Sequence, residues 1–346
     1  MQVLVLTKGD ARTASSRVRV WQMFERLEKE GIQSTILPSF AHAWWSLSPK
    51  RFRSLARLYK ALRQKPDVLF MHKSLFPWDV VMIVLFWARL TKTPLVYDLD
   101  DAEWIHSRKK TQMLMKRANT VFAGSQVIYD YTFKHNAHVV LVPSAVDHEL
   151  YKEITHDSNP PVIVWVGHGP AHLKSGNFDI LRDAFRILAE EKEQFQFVLV
   201  GGKQNKALHE FWGNEPYAVR IIDEAEWGSA ETVPSLLREL RPRIGVMPLT
   251  DSPFVRAKCA YKAIEYMAAG IPVVASPVGE IVSMIETSRA GVLASTKDEW
   301  AREIKNMLDD QKSSEMGEVG KVLIREKYSY DAVVPLITQE LSKIKK

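Results

Sequence analysis

Twelve short apolar runs alternate with amphipathic stretches along this chain, in two successive blocks, and this pattern constrains the fold more than any other feature. A strand that is apolar at every position must be covered on both faces, and helices in the connections supply that cover, as in parallel sheets. In the first block the strand candidates are Val3–Thr7, Ser34–Leu37, Val68–His72, Leu95–Asp98, Thr120–Ala123 and Val139–Val142. Helices are expected between them, starting near Ser16, Lys50, Trp78, Ser107 and Ser125. Residues 151–160 are polar, end in proline and have no apolar period, so they read as an interdomain linker. The pattern then restarts with Val162–Val166, Gln196–Val200, Val219–Ile222, Ile244–Met247, Pro272–Ala275 and Gly291–Leu293. Helices are expected there from near Phe178, Asn205, Ala230, Cys259, Glu280 and Asp298. The expected fold class is α/β: two Rossmann-like doubly wound parallel-sheet domains, 1–152 and 161–328, facing a cleft. A last amphipathic helix within 329–346 is expected to pack back toward the first domain.

Composition narrows the function classes. The 346 residues suffice for two domains, and 46% hydrophobic with 25% charged residues is the balance of a soluble globular protein. A single cysteine, Cys259, excludes an internal disulfide framework, fits a reducing cytoplasm and reads as a bystander thiol. Met1–Thr7 reads as a first strand rather than a secretion signal. The longest apolar run, Val80 to Ala88, falls far short of the roughly 20 residues that span a bilayer, and reads as a buried helix.

A net charge of +6 favours anionic partners. From Trp44 to Leu62 two tryptophans lead a basic amphipathic helix, which suits peripheral contact with an anionic membrane. The same residues also fit a surface helix that packs Leu55, Leu58 and Leu62 inward. Basic residues are not interleaved with an aromatic platform, so no nucleic-acid partner is expected.

Residues 244–280 carry the densest chemistry. They read as a strand, a polar loop, a short helix bearing Lys258, Lys262 and Glu265, and a further strand. Spacings of four and three put the two ammonium groups and the carboxylate on one helical face. Cations beside a helix start suit a phosphate, and a nearby carboxylate can accept hydrogen bonds from paired sugar hydroxyls. The competing reading is a solvated charged face with weak ion pairs. Flanking apolar strands favour the ligand reading, because open α/β sheets bind ligands at their carboxyl edges.

A second glycine-rich loop follows Val162–Val166: Gly167-His168-Gly169 leads to Lys174-Ser-Gly176. Glycines admit a ligand close to the backbone, and His168 and Lys174 can reach phosphate oxygens. The third glycine is displaced from the dinucleotide fingerprint, and the loop is not a Walker loop. Trp227 lies in a later loop, either near a bound ligand or in packing.

In the first domain, Asp98-Leu-Asp100-Asp101 ends a strand. Three carboxylates this close suggest a divalent cation, or a capping turn before Ala102-Glu103-Trp104. Mutual repulsion is expected to raise at least one of their pKa values. Arg17, preferred to Arg19 as nearer the cleft edge, and His72 with Lys73 are further candidates for holding a phosphate or a second substrate.

Taken in order, Gly167-His168 to Lys174-Ser-Gly176, Val200-Gly-Gly202, Pro248-Leu and Lys262-x-x-Glu265-Tyr-Met-Ala-x-Gly270-x-Pro-Val-Val-Ala-Ser to Gly279 resemble family-4 glycosyltransferases of the GT-B fold, glycosyl transferases group 1. The likeness extends over nearly the whole chain, including Ala123-Gly-Ser125 and Val142-Pro-Ser-Ala-Val-Asp147. It implies a nucleotide-diphosphate sugar donor held by the second domain and an acceptor held by the first. It further implies transfer with retention, with no metal and no other cofactor.

Glu265 resembles the second glutamate of the family's Glu-x7-Glu motif, which binds the donor ribose. His168 stands where an arginine commonly contacts the diphosphate. The first glutamate of the motif falls on Ala257, while Arg256, Lys258 and Lys262 crowd the loop. The residue chemistry and the resemblance together assign Gly167, His168, Gly169, Lys174, Lys258, Lys262 and Glu265 to the donor. Arg17, His72 and Asp101 fall to the acceptor, and Asp100, Asp98, Lys174 and Lys258 to catalysis. A glycan or lipid-linked acceptor in cell-surface polysaccharide or lipopolysaccharide synthesis is expected, with the enzyme in the cytoplasm or at the inner face of the membrane. The alternatives are a GT-B sugar-nucleotide epimerase and a non-catalytic nucleotide-sugar or polyanion binder.

Overall fold

A computed structural model describes residues 1–38, 49–74 and 76–344. Residues 44–48, which open the expected membrane segment, lie outside the described residues. The chain forms two compact units. The first comprises Met1–Ala145, Ala257–Cys259 and Tyr330–Lys346; the second comprises Val146–Arg256 and Ala260–Ser329. The expected boundaries were 152 and 161, with a linker between them. The stretch 151–160 instead lies wholly within the second unit, where Tyr151 and Ile154 are buried.

In the first unit β1 (Gln2–Thr7) leads through α1 (Ala14–Ser16) and a wide helical turn, Arg17–Trp21, into α2 (Gln22–Lys29). There follow β2 (Gln33–Pro38), α3 (Pro49–Arg63), β3 (Val68–His72), α4 (Trp78–Thr91), β4 (Leu95–Leu99), α5 (Glu103–Arg117), β5 (Thr120–Ala123), α6 (Gln126–Phe133) and β6 (Val139–Leu141). All six strands pair in parallel in the order β2-β1-β3-β4-β5-β6. The order reverses at β1, so α2 and the helices from α3 onward cover opposite faces. Alternate strand residues Val3, Val5, Phe70, Val96 and Phe122 pack with Met23, Phe24 and Leu27 of α2. The chain's last helix, Tyr330–Ile344, adds Val333, Val334 and Ile337 to that cluster. Its first residue is pinned there: the Tyr330 hydroxyl bonds the Val18 carbonyl (3.0 Å) and Gln22 Oε1 (2.8 Å), under the Arg26 guanidinium.

The second unit runs β7 (Val162–Val166), α7 (Gly169–Lys174), α8 (Asp179–Glu190), β8 (Gln196–Val200), α9 (Lys206–Trp212), β9 (Ala218–Ile222), α10 (Thr232–Leu240), β10 (Ile244–Met247), α11 (Pro253–Arg256), α12 (Tyr261–Ala268), β11 (Val273–Ala275), α13 (Glu280–Ser288), β12 (Gly291–Leu293), α14 (Lys297–Leu308) and α15 (Asp310–Leu323). Its six parallel strands follow the order β12-β11-β10-β7-β8-β9. Strand alternation divides the core. Ile163, Trp165, Phe197 and Leu199 face Phe178, Phe185, Trp212 and Trp300, whereas Val162, Val164, Val166, Val198 and Val200 face Leu237, Tyr266 and Met267. Each fully buried large apolar side chain contributes roughly 1.5–3 kcal/mol, so both faces hold the sheet firmly.

Two expectations need correction. The apolar run Val80 to Ala88 is not a buried helix: α4 buries only Val80, Val81 and Val84, and leaves Met82, Ile83, Phe86 and Leu90 exposed. Lys258 does not share a helical face with Lys262 and Glu265. The helix begins at Tyr261, behind Ala260 in a left-handed conformation (φ 52°), and Lys258 counts with the first unit. Ala260 breaks the helix before the spacing argument can reach residue 258.

Candidate active-site residues in the two units

In the second unit, the loop after β7 and the start of α12 meet. Gly167 donates its N–H to the Val200 carbonyl at 3.0 Å, and Gly169 donates to the Gly201 carbonyl at 3.0 Å, which binds the glycine loop to the end of β8. There is no room for side chains: a Cβ on Gly201 would lie 1.9 Å from the Gly167 oxygen. A Cβ on Gly167 would lie 2.7 Å from Lys262 Cε and 2.9 Å from the Trp165 ring. Lys262 therefore runs directly over the glycine loop, its ammonium 5.3 Å from the Trp165 ring centroid, within cation–π range. Two segments nearly a hundred residues apart in sequence thus converge on one cationic, backbone-lined spot.

His168 is exposed and caps α7, its Nδ1 accepting the Ala171 N–H at 3.2 Å. Lys174 is exposed in the last turn of that short helix, the opposite end from Gly167. The loop after β10 is tied to the same region: Thr250 donates its N–H to Asn177 Oδ1 (2.7 Å) and its hydroxyl to the Ser175 carbonyl (3.2 Å). Glu265 is 7% exposed, held inside α12 with one carboxylate oxygen accepting the Tyr151 hydroxyl at 3.2 Å. Arg256 is exposed and forms a two-pronged pair with Asp251.

In the first unit, parallel pairing sets the carboxyl ends of β3 and β4 side by side, with His72 opposite Asp98. Asp98 is enclosed. Arg19 donates to it from Nε (2.9 Å to Oδ2) and from Nη2, and His72 Nδ1 sits 2.8 Å from Oδ2. Arg19 Nη1 also donates to the Val142 carbonyl at 2.9 Å, which joins β4 to the end of β6. Burial opposes the charge on Asp98, yet Arg19 and then His72 outweigh it and lower its pKa to about 2. Lys73 follows in a left-handed conformation (φ 67°), and its ammonium bridges Asp100 (2.9 Å) and Asp101 (2.5 Å). Asp100 is likewise lowered, because Lys73, His72 and Arg19 overcome its burial. For Asp98 and Asp100 the expected repulsion-driven rise is thus reversed: Arg19 pairs with Asp98, and Lys73 is shared by Asp100 and Asp101. Glu103 at the start of α5 is buried as well, accepting from Ser74 N–H (3.2 Å) and Oγ (2.9 Å).

Among the described residues no group of three or more His, Cys, Asp and Glu is arranged to hold a metal ion. Asp101 is the most open of the three aspartates, its side chain 25% exposed against 8% for Asp100 and 1% for Asp98. The structure thus gathers His72, Asp98, Asp100 and Asp101 into one network. Arg19 is engaged by Asp98, and Arg17, the expected acceptor contact, is buried in the same helical turn.

Ala257, at the position of the missing glutamate, is fully buried and its carbonyl accepts the Ser125 hydroxyl at 2.8 Å. Cys259 faces Ser144 Oγ at 3.3 Å, and burial, with Asp100 adding, pushes its thiol up to about 11. That is an unreactive thiol at neutral pH. Tyr151 and Asn177 were missed, because a lone Tyr in a polar stretch and an Asn in a turn carry no pattern. Lys73 and Arg19 had a signal: a charged residue beside a run that folds as buried structure needs a partner.

Residues 160–310 match the family described as glycosyl transferases group 1. No curated protein sequence matches the chain. Solved structures do. Sucrose-phosphate synthase from Thermosynechococcus elongatus superposes with a TM-score of 0.74 at 14% identity, covering 99% of each chain. HepE from Anabaena, in complex with UDP and glucose, gives 0.66 at 16%, again over 99% of each. A protein named as a UDP-N-acetylglucosamine 2-epimerase, from Listeria monocytogenes, gives 0.63 at 14%, covering 99% of this chain and 96% of its own. At such identities the likeness speaks for the fold. The chain therefore has the two-sheet α/β fold of GT-B glycosyltransferases, and its residues 160–310 match the glycosyl transferases group 1 family.

Proposed function

We propose that this protein is a retaining glycosyltransferase of the family-4 type. It moves a sugar from a nucleotide-diphosphate donor to an acceptor hydroxyl, without a metal, in the synthesis of a cell-surface polysaccharide or lipopolysaccharide. The observation that carries the reading is Lys262 lying over the Gly167 loop beside Trp165. A backbone stripped of side chains and crossed by a lysine is a seat for a diphosphate. The match over 160–310 includes these residues, and HepE, which shares the fold, is seen in complex with UDP and glucose.

The donor diphosphate gains negative charge as its bond to the sugar breaks. Lys262, with Lys174 and the Gly167–Gly169 backbone, stabilises that charge, a role whose single members are commonly worth about 10²–10³ in rate. Glu265, fixed by Tyr151, accepts the ribose hydroxyls. Asp98 is too enclosed to touch a substrate and too acidic to take a proton, so it acts as the anchor of Arg19 and His72. Asp101 and Asp100, tethered by Lys73, orient the acceptor hydroxyl, with Arg17 and His72 beside them in the same unit, while His168 contacts the donor diphosphate. The depressed pKa of Asp100 makes it a poor base, and the leaving phosphate takes the acceptor proton.

The test is a turnover assay with UDP-sugars and a hydroxyl acceptor. The reading expects nucleoside diphosphate release that depends on acceptor, and a product whose anomeric configuration matches the donor. Conversion of the donor without any acceptor would establish the epimerase instead.

A further inference from the structure

The α4 helix leaves an apolar stripe in solvent. Met82, Ile83, Phe86 and Leu90, at 52%, 40%, 68% and 66% exposure, fall on one face at helical spacing. Neighbouring helices extend it. Arg51 of α3 pairs with Asp79 of α4, which fixes the two helix starts together, and α3 adds exposed Phe52 and Tyr59. Lys110 of α5 sits 5.4 Å from the Trp78 ring centroid and donates to the Phe76 carbonyl, which brings α5 alongside. Monomeric soluble proteins seldom expose so many large apolar side chains on adjoining helices.

Charge identifies what covers this face. Helices α3 and α4 carry seven Lys and Arg and a single carboxylate, Asp79, which Arg51 already pairs. Arg53, Arg57, Lys60 and Arg63 are exposed along α3. An apolar stripe bordered by long cationic side chains matches an anionic bilayer, where aromatic and aliphatic groups enter the acyl boundary and Lys and Arg reach the headgroups. A second copy of this chain would bring the same cations face to face. Among the described residues no helix is long and apolar enough to cross a membrane, so the contact is peripheral.

We propose that the α3–α4 face of the first unit docks on an anionic lipid bilayer, with Met82, Phe86 and Leu90 entering it and the α3 cations holding its phosphates. This moves the apolar anchor from the Trp44–Leu62 segment to α4, and it does not depend on the donor site.

The experiment is sedimentation of the full chain, without nucleotide, with vesicles of phosphatidylcholine containing about 30 mol% phosphatidylglycerol, and with phosphatidylcholine alone. Binding to the anionic vesicles is expected to be at least about tenfold tighter than to the neutral ones, and to weaken with salt. The double variant Met82→Glu, Phe86→Glu is expected to lose about tenfold or more at an unchanged melting temperature. Arg53→Glu, Arg57→Glu is expected to lose affinity for the anionic vesicles alone, and it decides the matter if the first variant does not fold. The proposal is overturned by no sedimentation with anionic lipid, or by sedimentation that neither pair affects. Self-association abolished by Met82→Glu, Phe86→Glu in a protein that ignores lipid overturns it too, in favour of a second copy.

Discussion

At the residue scale, the most informative group is Asp98, because it shows how a motif can be seen correctly in the sequence and still be misread. Three aspartates in four residues are plain to see; that Arg19 neutralises Asp98 while Lys73 serves the other two is not, since Arg19 lies 79 positions away. The pairing makes a stability prediction with a definite sign. Asp98 falls from an ordinary 3.8 to about 2 in the folded protein, so its contribution is complete above pH 4 or so and is lost as pH falls toward 2. The shift corresponds to roughly 2 kcal/mol. Wild type should therefore lose about that much more stability than Asp98→Asn between about pH 5 and pH 2 in denaturant titrations. At neutral pH, Asp98→Asn should cost about 3–5 kcal/mol by leaving the buried Arg19 uncompensated. Parallel pH profiles for the two proteins would show that the pair does not act this way. Ala257 makes a second case. Its side chain is fully buried, so Ala257→Glu, which restores the family's first glutamate, should lower the melting temperature rather than raise activity.

Among elements, the strands were legible and the connections less so. Apolar runs bounded by polar turns mark all twelve strands to within a residue or two, because a doubly covered strand has few polar positions to confuse the pattern. Helix α12 was placed too early, since Ala260 breaks the spacing in a conformation that no alanine announces. Helix α4 was misjudged for a different reason: an unbroken apolar run has no polar face, so it cannot reveal that one side meets solvent. The close approach of the glycine loop to β8 yields a contrast between two substitutions. Gly201→Ala places a methyl 1.9 Å from the Gly167 oxygen at φ 100°, and should unfold the second unit or lower its melting temperature sharply. Gly31→Ala, at φ 79° with nothing within 4 Å, should cost only the backbone term, about 1–2 kcal/mol. Equal melting temperatures for the two variants would remove the argument that the loop has no spare volume.

Across the whole molecule, two doubly wound units whose strand orders each reverse at the first strand, β1 or β7, give two sets of carboxyl edges, and chemistry-bearing residues gather at those edges in each. The sequence made the two-unit plan legible, because the apolar pattern visibly restarts. It could not show that Ala257–Cys259 counts with the first unit while its neighbours belong to the second, since three residues carry no period. The donor reading stands on Gly167, Lys262 and Glu265 being brought together within one unit, and calorimetric titration tests it most directly. The account expects UDP or another nucleoside diphosphate to bind wild type and, at about 100 times its dissociation constant, to add roughly 2.7 kcal/mol of stability. Lys262→Met and Glu265→Ala should each weaken that binding by about tenfold or more, while Asp100→Ala should leave it unchanged. Binding of no nucleoside diphosphate or nucleotide sugar, or equal losses in all three variants, would contradict it.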